Sequence, residues 1–189
     1  MRGCRLLHFS FVVGLLLSVP VAGHLESSKK PGSAKQTTVG PPAERLGAAD
    51  AWTAYSYIEK TGKVCYLAAE PKKSEPSLGK RKRPLAMITH RSGEKIANVV
   101  SFLEGYPLKE GSEASLDIGG AKFDLFTKGD SAWARTPELD KAIVEAMTKG
   151  KQAIVKGTPQ KGPATTDTYS LIGFAQALAL IDKACDVKR

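Results

Sequence analysis

The chain has 189 residues, 28 Lys or Arg against 19 Asp or Glu, a formal net charge of +9 and 42% hydrophobic content. That length suits one domain, and the mix of apolar and charged residues is that of a globular protein, not of a disordered polyelectrolyte. Three cysteines are too few for a disulfide-dense miniature scaffold. No apolar run beyond the N-terminus approaches the ~20 residues of a membrane-spanning helix.

The first element is an address. Arg2 and Arg5 precede an apolar run from Phe9 to Val19, Pro20 breaks it, and Val21-Ala22-Gly23 supplies small residues at a cleavage site. Positive start, short apolar centre and small-residue exit are the parts of a secretory signal peptide. Cleavage is expected after Gly23. Taking 23 residues, Arg2 and Arg5 among them, from 189 leaves 166 residues with a charge of +7. Cys4 leaves with them, so Cys65 and Cys185 remain as a pair in a chain sent to an oxidising compartment. Two cysteines allow one internal pairing. The competing reading, redox or metal chemistry, finds no C-x-x-C and only His24 and His90 beside them.

Residues 24–50 hold Ser27-Ser28-Lys29-Lys30-Pro31-Gly32-Ser33 and Gly40-Pro41-Pro42, with few apolar residues and no period. They read as a flexible leader, with a short helical turn near 43–49. The folded domain is expected over 51–189. Residues 52–59 and 63–69 carry the aromatic and β-branched residues of strands, with Thr61-Gly62 as the turn. The segment 71–84 is a loop with Pro71, Pro76, Gly79 and Pro84 and six basic residues: Lys72, Lys73, Lys80, Arg81, Lys82 and Arg83. Strands are expected again at 85–90 and 95–103.

Gly119-Gly120 makes a two-residue hairpin turn between 114–118 and 121–126. That register pairs Ile118 with Ala121, Asp117 with Lys122 and Leu116 with Phe123, and a slip of one residue would break both the charge and the apolar matching. Thr136-Pro137-Glu138 opens a helix with a cap, a proline at the first position and an acid in the first turn. Leu139, Ala142, Ile143, Ala146 and Met147 form its apolar stripe, and Lys149-Gly150 ends it. Strands follow at 152–156 and 168–172. The last helix runs over 174–184, with Phe174, Leu178, Ile181 and Cys185 on one face. A disulfide from Cys185 to Cys65 would pin that helix to the early strands. About eight short strands and two helices predict a mainly β fold, a β-sandwich with two packed helices.

There is no G-x-S-x-G elbow, no H-E-x-x-H, no calcium loop and no phosphate-binding glycine loop. His90 is the sole histidine of the folded region and is expected at the solvent-facing end of a strand. No catalytic residue, metal ligand or cofactor site is assigned, and no nucleic-acid motif accompanies the basic residues. The basic loop is the strongest charge feature and suits an anionic lipid or glycan; a solvated loop that blunts a sheet edge is the competing reading.

The run Gly105-Tyr106-Pro107-Leu108-Lys109-Glu110-Gly111-Ser112 resembles a segment of the invasion-associated locus B family of alphaproteobacterial exported proteins. Further matches follow in order: Ala132-Trp133-Ala134, Ala146-Met147 with Lys149-Gly150, Thr165-Thr166-Asp167-Thr168-Tyr169-Ser170-Leu171 leading to Gly173-Phe174, and Cys185. Trp52 and Cys65 match its opening. Lys161-Gly162-Pro163 departs from the expected Arg-Gly-Thr. The resemblance covers about residues 51–186. It implies an immunoglobulin-like sandwich, export to the periplasm or cell surface, and, in pathogenic members, a part in entry into host cells such as erythrocytes. Trp52, Trp133 and Phe174 read as core residues, and Asp167 as a loop residue bonding its own backbone, with a polar ligand site as the competing reading. The leading functional expectation is a non-enzymatic exported binding protein. Its rivals are an envelope-maintenance factor and a periplasmic enzyme or enzyme inhibitor, the last needing His90, Asp167 and Ser170 within mutual reach.

Overall fold

The computed structural model describes residues 42–189. The predicted signal peptide, its cleavage after Gly23 and most of the leader lie outside the described residues. Eleven strands form: β1 (Glu44–Ala49), β2 (Trp52–Glu59), β3 (Gly62–Ala69), β4 (Lys73–Glu75), β5 (Leu85–Arg91), β6 (Ile96–Leu103), β7 (Glu113–Ile118), β8 (Ala121–Lys128), β9 (Ser131–Trp133), β10 (Gln152–Gly157) and β11 (Thr165–Ser170). Two helices, α1 (Pro137–Lys149) and α2 (Phe174–Ala184), and a short 3-10 turn at Ser92–Glu94 complete the described residues.

All strands join one antiparallel ladder in the order β1-β2-β3-β5-β6-β9-β8-β7-β10-β11-β4. Its two arms close over a common core. The indole N–H of Trp52 in β2 donates to the Ser170 carbonyl of β11 at 2.8 Å, and Phe102 of β6 meets Tyr169 of β11 at 5.6 Å between ring centres. Strands distant in the ladder therefore touch through their inner faces. The expected mainly β fold with two helices and one disulfide is what forms. The hydrogen bonding runs as a single ladder, however, where an immunoglobulin-like sandwich has two separate sheets.

The hairpin register is the predicted one, with Ile118 opposite Ala121, Asp117 opposite Lys122 and Leu116 opposite Phe123. Gly119 and Gly120 take φ of 61° and 93°, which side chains resist. Thr136 caps α1 by accepting the Leu139 N–H. Gly150 ends α1 for a reason other than backbone freedom: a Cβ there would lie 2.7 Å from Ile118 Cγ2. α2 packs on β1, β2 and β3 with Phe174, Leu178, Ile181 and Cys185 all buried. Phe174 meets the Trp52 ring edge-on at 4.9 Å. The Cys65–Cys185 disulfide forms with a Cα–Cα distance of 6.0 Å and ties α2 to β3.

Several expectations change. Residues 44–49 are neither flexible leader nor helical turn; they form the edge strand β1, paired to β2 with an irregularity between Arg45 and Gly47. A neighbouring strand supplies every second backbone group with a partner, which overrides the weak helical preference of Ala and Leu. The expected strand at 168–172 sits earlier, at Thr165–Ser170. Part of the basic loop becomes β4, the opposite edge of the sheet. Trp133 is only half-buried in β9, while its neighbour Ala132 faces the core.

Asp140 shows how a helix completes the sheet. β9 ends opposite Ser101, so the next backbone N–H, of Val100, lies beyond it. Asp140 Oδ1 accepts that N–H at 2.8 Å. Burial raises the carboxyl to about 6, opposed by this bond. Asp140→Ala should lower stability by about 1–3 kcal/mol by orphaning a buried donor, read as a shift in the urea midpoint with an unchanged slope. A loss within error would show that the Val100 N–H finds another acceptor.

Candidate functional site

The basic loop joins β4, at one edge of the sheet, to β5 in the interior of the other arm. It must cross the end of the molecule, and one of its own cations pins it midway. Arg81 is withdrawn from the surface: its side chain is 6% exposed. Nη1 donates to Asp167 Oδ1 at 2.8 Å and Nη2 to Asp167 Oδ2, a two-pronged grip on one carboxylate. Nη2 also reaches Glu104 Oε2 at 3.1 Å, and Nε donates to the Glu104 carbonyl. Both carboxylate side chains are fully buried.

Three distant segments build this cluster. Glu104 follows β6, Asp167 lies on β11, and the ladder separates those strands by β9, β8, β7 and β10. Gly105, at φ of 72°, turns the chain after Glu104, and a Cβ there would sit 2.1 Å from the Lys82 carbonyl oxygen. The loop backbone thus lies directly on the Gly105-Tyr106 segment, with Lys82 N–H bonded to the Gly105 carbonyl at 2.9 Å. The Tyr106 hydroxyl donates to Glu104 Oε2 at 3.1 Å and also contacts Thr165 Oγ1, and the Arg81 guanidinium lies 4.9 Å from the Tyr106 ring centre. Burial, then the neighbouring Asp167 charge, raises the Glu104 carboxyl to about 7 against the pull of Arg81. Burial and Glu104 likewise raise the Tyr106 hydroxyl.

The other loop cations divide. Lys73 pairs with Glu75 at 2.8 Å inside β4, and Arg83 pairs with Glu70. Lys72, Lys80 and Lys82 are exposed, and among the described residues no carboxylate lies within salt-bridge distance of them. At its other end the loop is held by the Lys72 N–H bond to the Thr168 carbonyl and by the β4–β11 pairing. The result is three exposed, unpaired ammonium groups on a loop whose backbone is tied to Gly105 and to β11.

His90 is not solvent-facing; it is fully buried. In β5 it shares the inward parity of Ala86 and Ile88 and lies opposite Cys65. Its Nε2 is 2.9 Å from Asp182 Oδ1, and its Nδ1 accepts the Asn98 N–H at 3.0 Å. Nε2 therefore carries the proton, burial lowers the ring's basicity, and no ring nitrogen is left for proton transfer. Arg189 clamps the same Asp182. Asp167 is a strand residue holding Arg81, not a loop residue bonding its own backbone. Ser170 bonds Ile172 N–H through its hydroxyl. His90, Asp167 and Ser170 thus have separate partners and form no common hydrogen-bonded site. Among the described residues no group of three or more His, Cys, Asp or Glu is placed to hold a metal ion, and no helix is long and apolar enough to cross a membrane. An open cleft of about 420 Å³ lies beside Cys185, lined in part by Arg91, Lys95 and Ile96, and receives nothing from the basic loop.

Sequence reasoning missed Glu104 and the inward turn of Arg81. Gly105-Tyr106-Pro107 was a visible signal for the first, because a glycine at that point lets another backbone approach. Nothing local distinguishes Arg81 from Lys80, Lys82 or Arg83.

Fold and cluster together define a mainly antiparallel β domain, closed by one long-range disulfide and carrying a basic loop on a buried ionic anchor. The chain belongs to the invasion associated locus B (IalB) protein family, whose model matches residues 52–182. A crystal structure of invasion associated protein B from Bartonella henselae is similar in fold, with a TM-score of 0.54 and 17% identity, covering 77% of this chain and 99% of that one. No curated protein matches the sequence.

Proposed function

We propose that this chain is an exported, non-enzymatic binding protein of the bacterial envelope or surface, which captures an anionic component through Lys72, Lys80 and Lys82. The observation that carries this reading is the set of three unpaired lysines on a loop anchored by Arg81. An anchored loop holds its charges in place, so less conformational freedom is lost when a ligand arrives. Family membership and the solved invasion associated protein B support a role in host interaction. The commitment of both His90 nitrogens counts against the enzyme reading.

The test uses the chain from residue 24 onward and vesicles containing phosphatidylglycerol, against neutral vesicles. Capture should be selective for the anionic vesicles and should weaken as salt rises and screening shortens the reach of the lysines. Lys72→Glu, Lys80→Glu and Lys82→Glu together should lower capture at least about tenfold through like-charge repulsion, with an unchanged melting temperature. Equal capture by the reversed variant, or none by the wild type on vesicles or on an acidic glycan such as heparin, would sink the reading in favour of an envelope-maintenance factor.

A further inference from the structure

With both carboxyls ionised, the anchor holds an excess of one negative charge. Two fully buried carboxylates, Glu104 and Asp167, share the single guanidinium of Arg81. Arg81 spends its two-pronged grip on Asp167, which leaves Glu104 the poorer partner. Glu104 Oε1 is buried with no hydrogen-bond partner among the described residues, as is the Tyr169 hydroxyl. An unpaired buried charge is far more costly than an unpaired buried hydroxyl.

We propose that Arg81, Glu104 and Asp167 form a proton-operated latch, which closes the basic loop on acidification and loosens it as the medium turns alkaline. The titratable and charged groups facing Glu104 are Arg81 from the loop, Tyr106 from the segment after β6, and Asp167 and Tyr169 from β11. From β10, Gly157 lies against Glu104: a Cβ there would be 3.0 Å from Glu104 Oε2. Tyr106 and Tyr169 are both shifted away from neutrality, so Glu104 is the group that changes charge there. Its protonation turns Oε1 from an unpaired charged acceptor into part of a neutral acid and leaves Arg81 and Asp167 as a balanced pair.

The direction follows from linkage. With the loop closed, Glu104 holds its proton to about 7. With the loop lifted, the pull of Arg81 is lost, but water reaches the carboxyl, and relief of burial, the larger effect, lowers it toward the ordinary carboxyl range of about 4.5. The closed form therefore binds the proton more tightly and gains on the open form as pH falls from about 7 toward 4.5. The consequence for ligand capture rests on the reading of this loop as an anion-binding surface; the latch itself does not.

The reporter is the Lys82 amide, bonded to the Gly105 carbonyl across the closed latch. Its hydrogen-exchange protection, corrected for intrinsic rates, should be roughly tenfold greater at pH 5.5 than at pH 8. Glu104→Gln, which keeps the shape and removes the titration, should bring that ratio within about twofold of unity. A wild-type ratio within twofold of unity, or the wild-type ratio retained in Glu104→Gln, overturns the latch. Carboxyl carbon-13 titration of Glu104 in the wild-type protein decides the matter even if the variant does not fold. A midpoint near neutrality supports the latch, and one near 4.5 overturns it. If exchange behaves as expected while vesicle capture fails, the binding reading falls and the latch stands.

Discussion

Breaking the Cys65–Cys185 disulfide is expected to lower stability by about 4–5 kcal/mol. The bond joins residues 120 apart. Closing a loop of that length removes much of the freedom of the unfolded chain, so opening it stabilises that state. The native contacts change little, because Phe174, Leu178 and Ile181 still bury α2 against β1–β3. A domain of this size should then melt about 10–20 °C lower. The measurement is chemical denaturation of the oxidised chain beside a Cys65→Ala, Cys185→Ala double variant. The native far-UV spectrum should persist while the midpoint falls. A difference below about 1 kcal/mol would mean that the unfolded chain already holds these ends together.

The second large effect belongs to Arg81. Arg81→Met should cost about 3–5 kcal/mol, since removing one partner leaves buried charge without compensation. Glu104 and Asp167 would both be orphaned at zero exposure. The loss should be greatest above neutrality and shrink as the medium is acidified, because Glu104, whose folded-state affinity for protons is raised by burial, recovers stability on taking one up. Arg81→Lys should recover only part of the loss. An ammonium cannot grip both Asp167 oxygens and still reach the Glu104 side chain and carbonyl. Combining Arg81→Met with Glu104→Gln and Asp167→Asn should restore much of the stability by removing the charges themselves. Urea unfolding at pH 5.5 and pH 8 reads all three variants. If Arg81→Met matched the wild type at pH 8, the ionic anchor would be ornamental and the loop would be held by its backbone bonds alone.

The contrast between Arg81 and its neighbours shows where sequence reading stops. Lys80, Arg81, Lys82 and Arg83 are four consecutive cations with no period and no motif. Their fates differ completely: two exposed ammonium groups, one ion pair with Glu70, and one buried pivot. Which cation turns inward depends on carboxylates 23 and 86 positions away. His90 is the opposite case. Its burial was readable from parity, because Ala86, Ile88 and His90 alternate along β5 and must share a face. The same parity places Thr165, Asp167 and Tyr169 inward once β11 is correctly begun at Thr165. A strand boundary misplaced by three residues hid it.

By itself the sequence determined what local physics controls: the strands at 52–59 and 85–90, the Gly119-Gly120 hairpin and its register, both helices, the apolar face of the second, and the one pairing open to two cysteines. Each rests on a period, a turn or a count within a short stretch of chain. On α1, Ile143 and Met147 are buried as expected, but with Val144 and Asp140 rather than Ala142. Only the tertiary structure decided that residues 44–49 become an edge strand, that the ladder's two arms close on each other, and that Arg81, Glu104 and Asp167 meet. Those outcomes depend on partners brought together by the packing of the whole domain. Local propensity carries no record of them, because a backbone edge or a buried charge acquires its energy from the groups that face it.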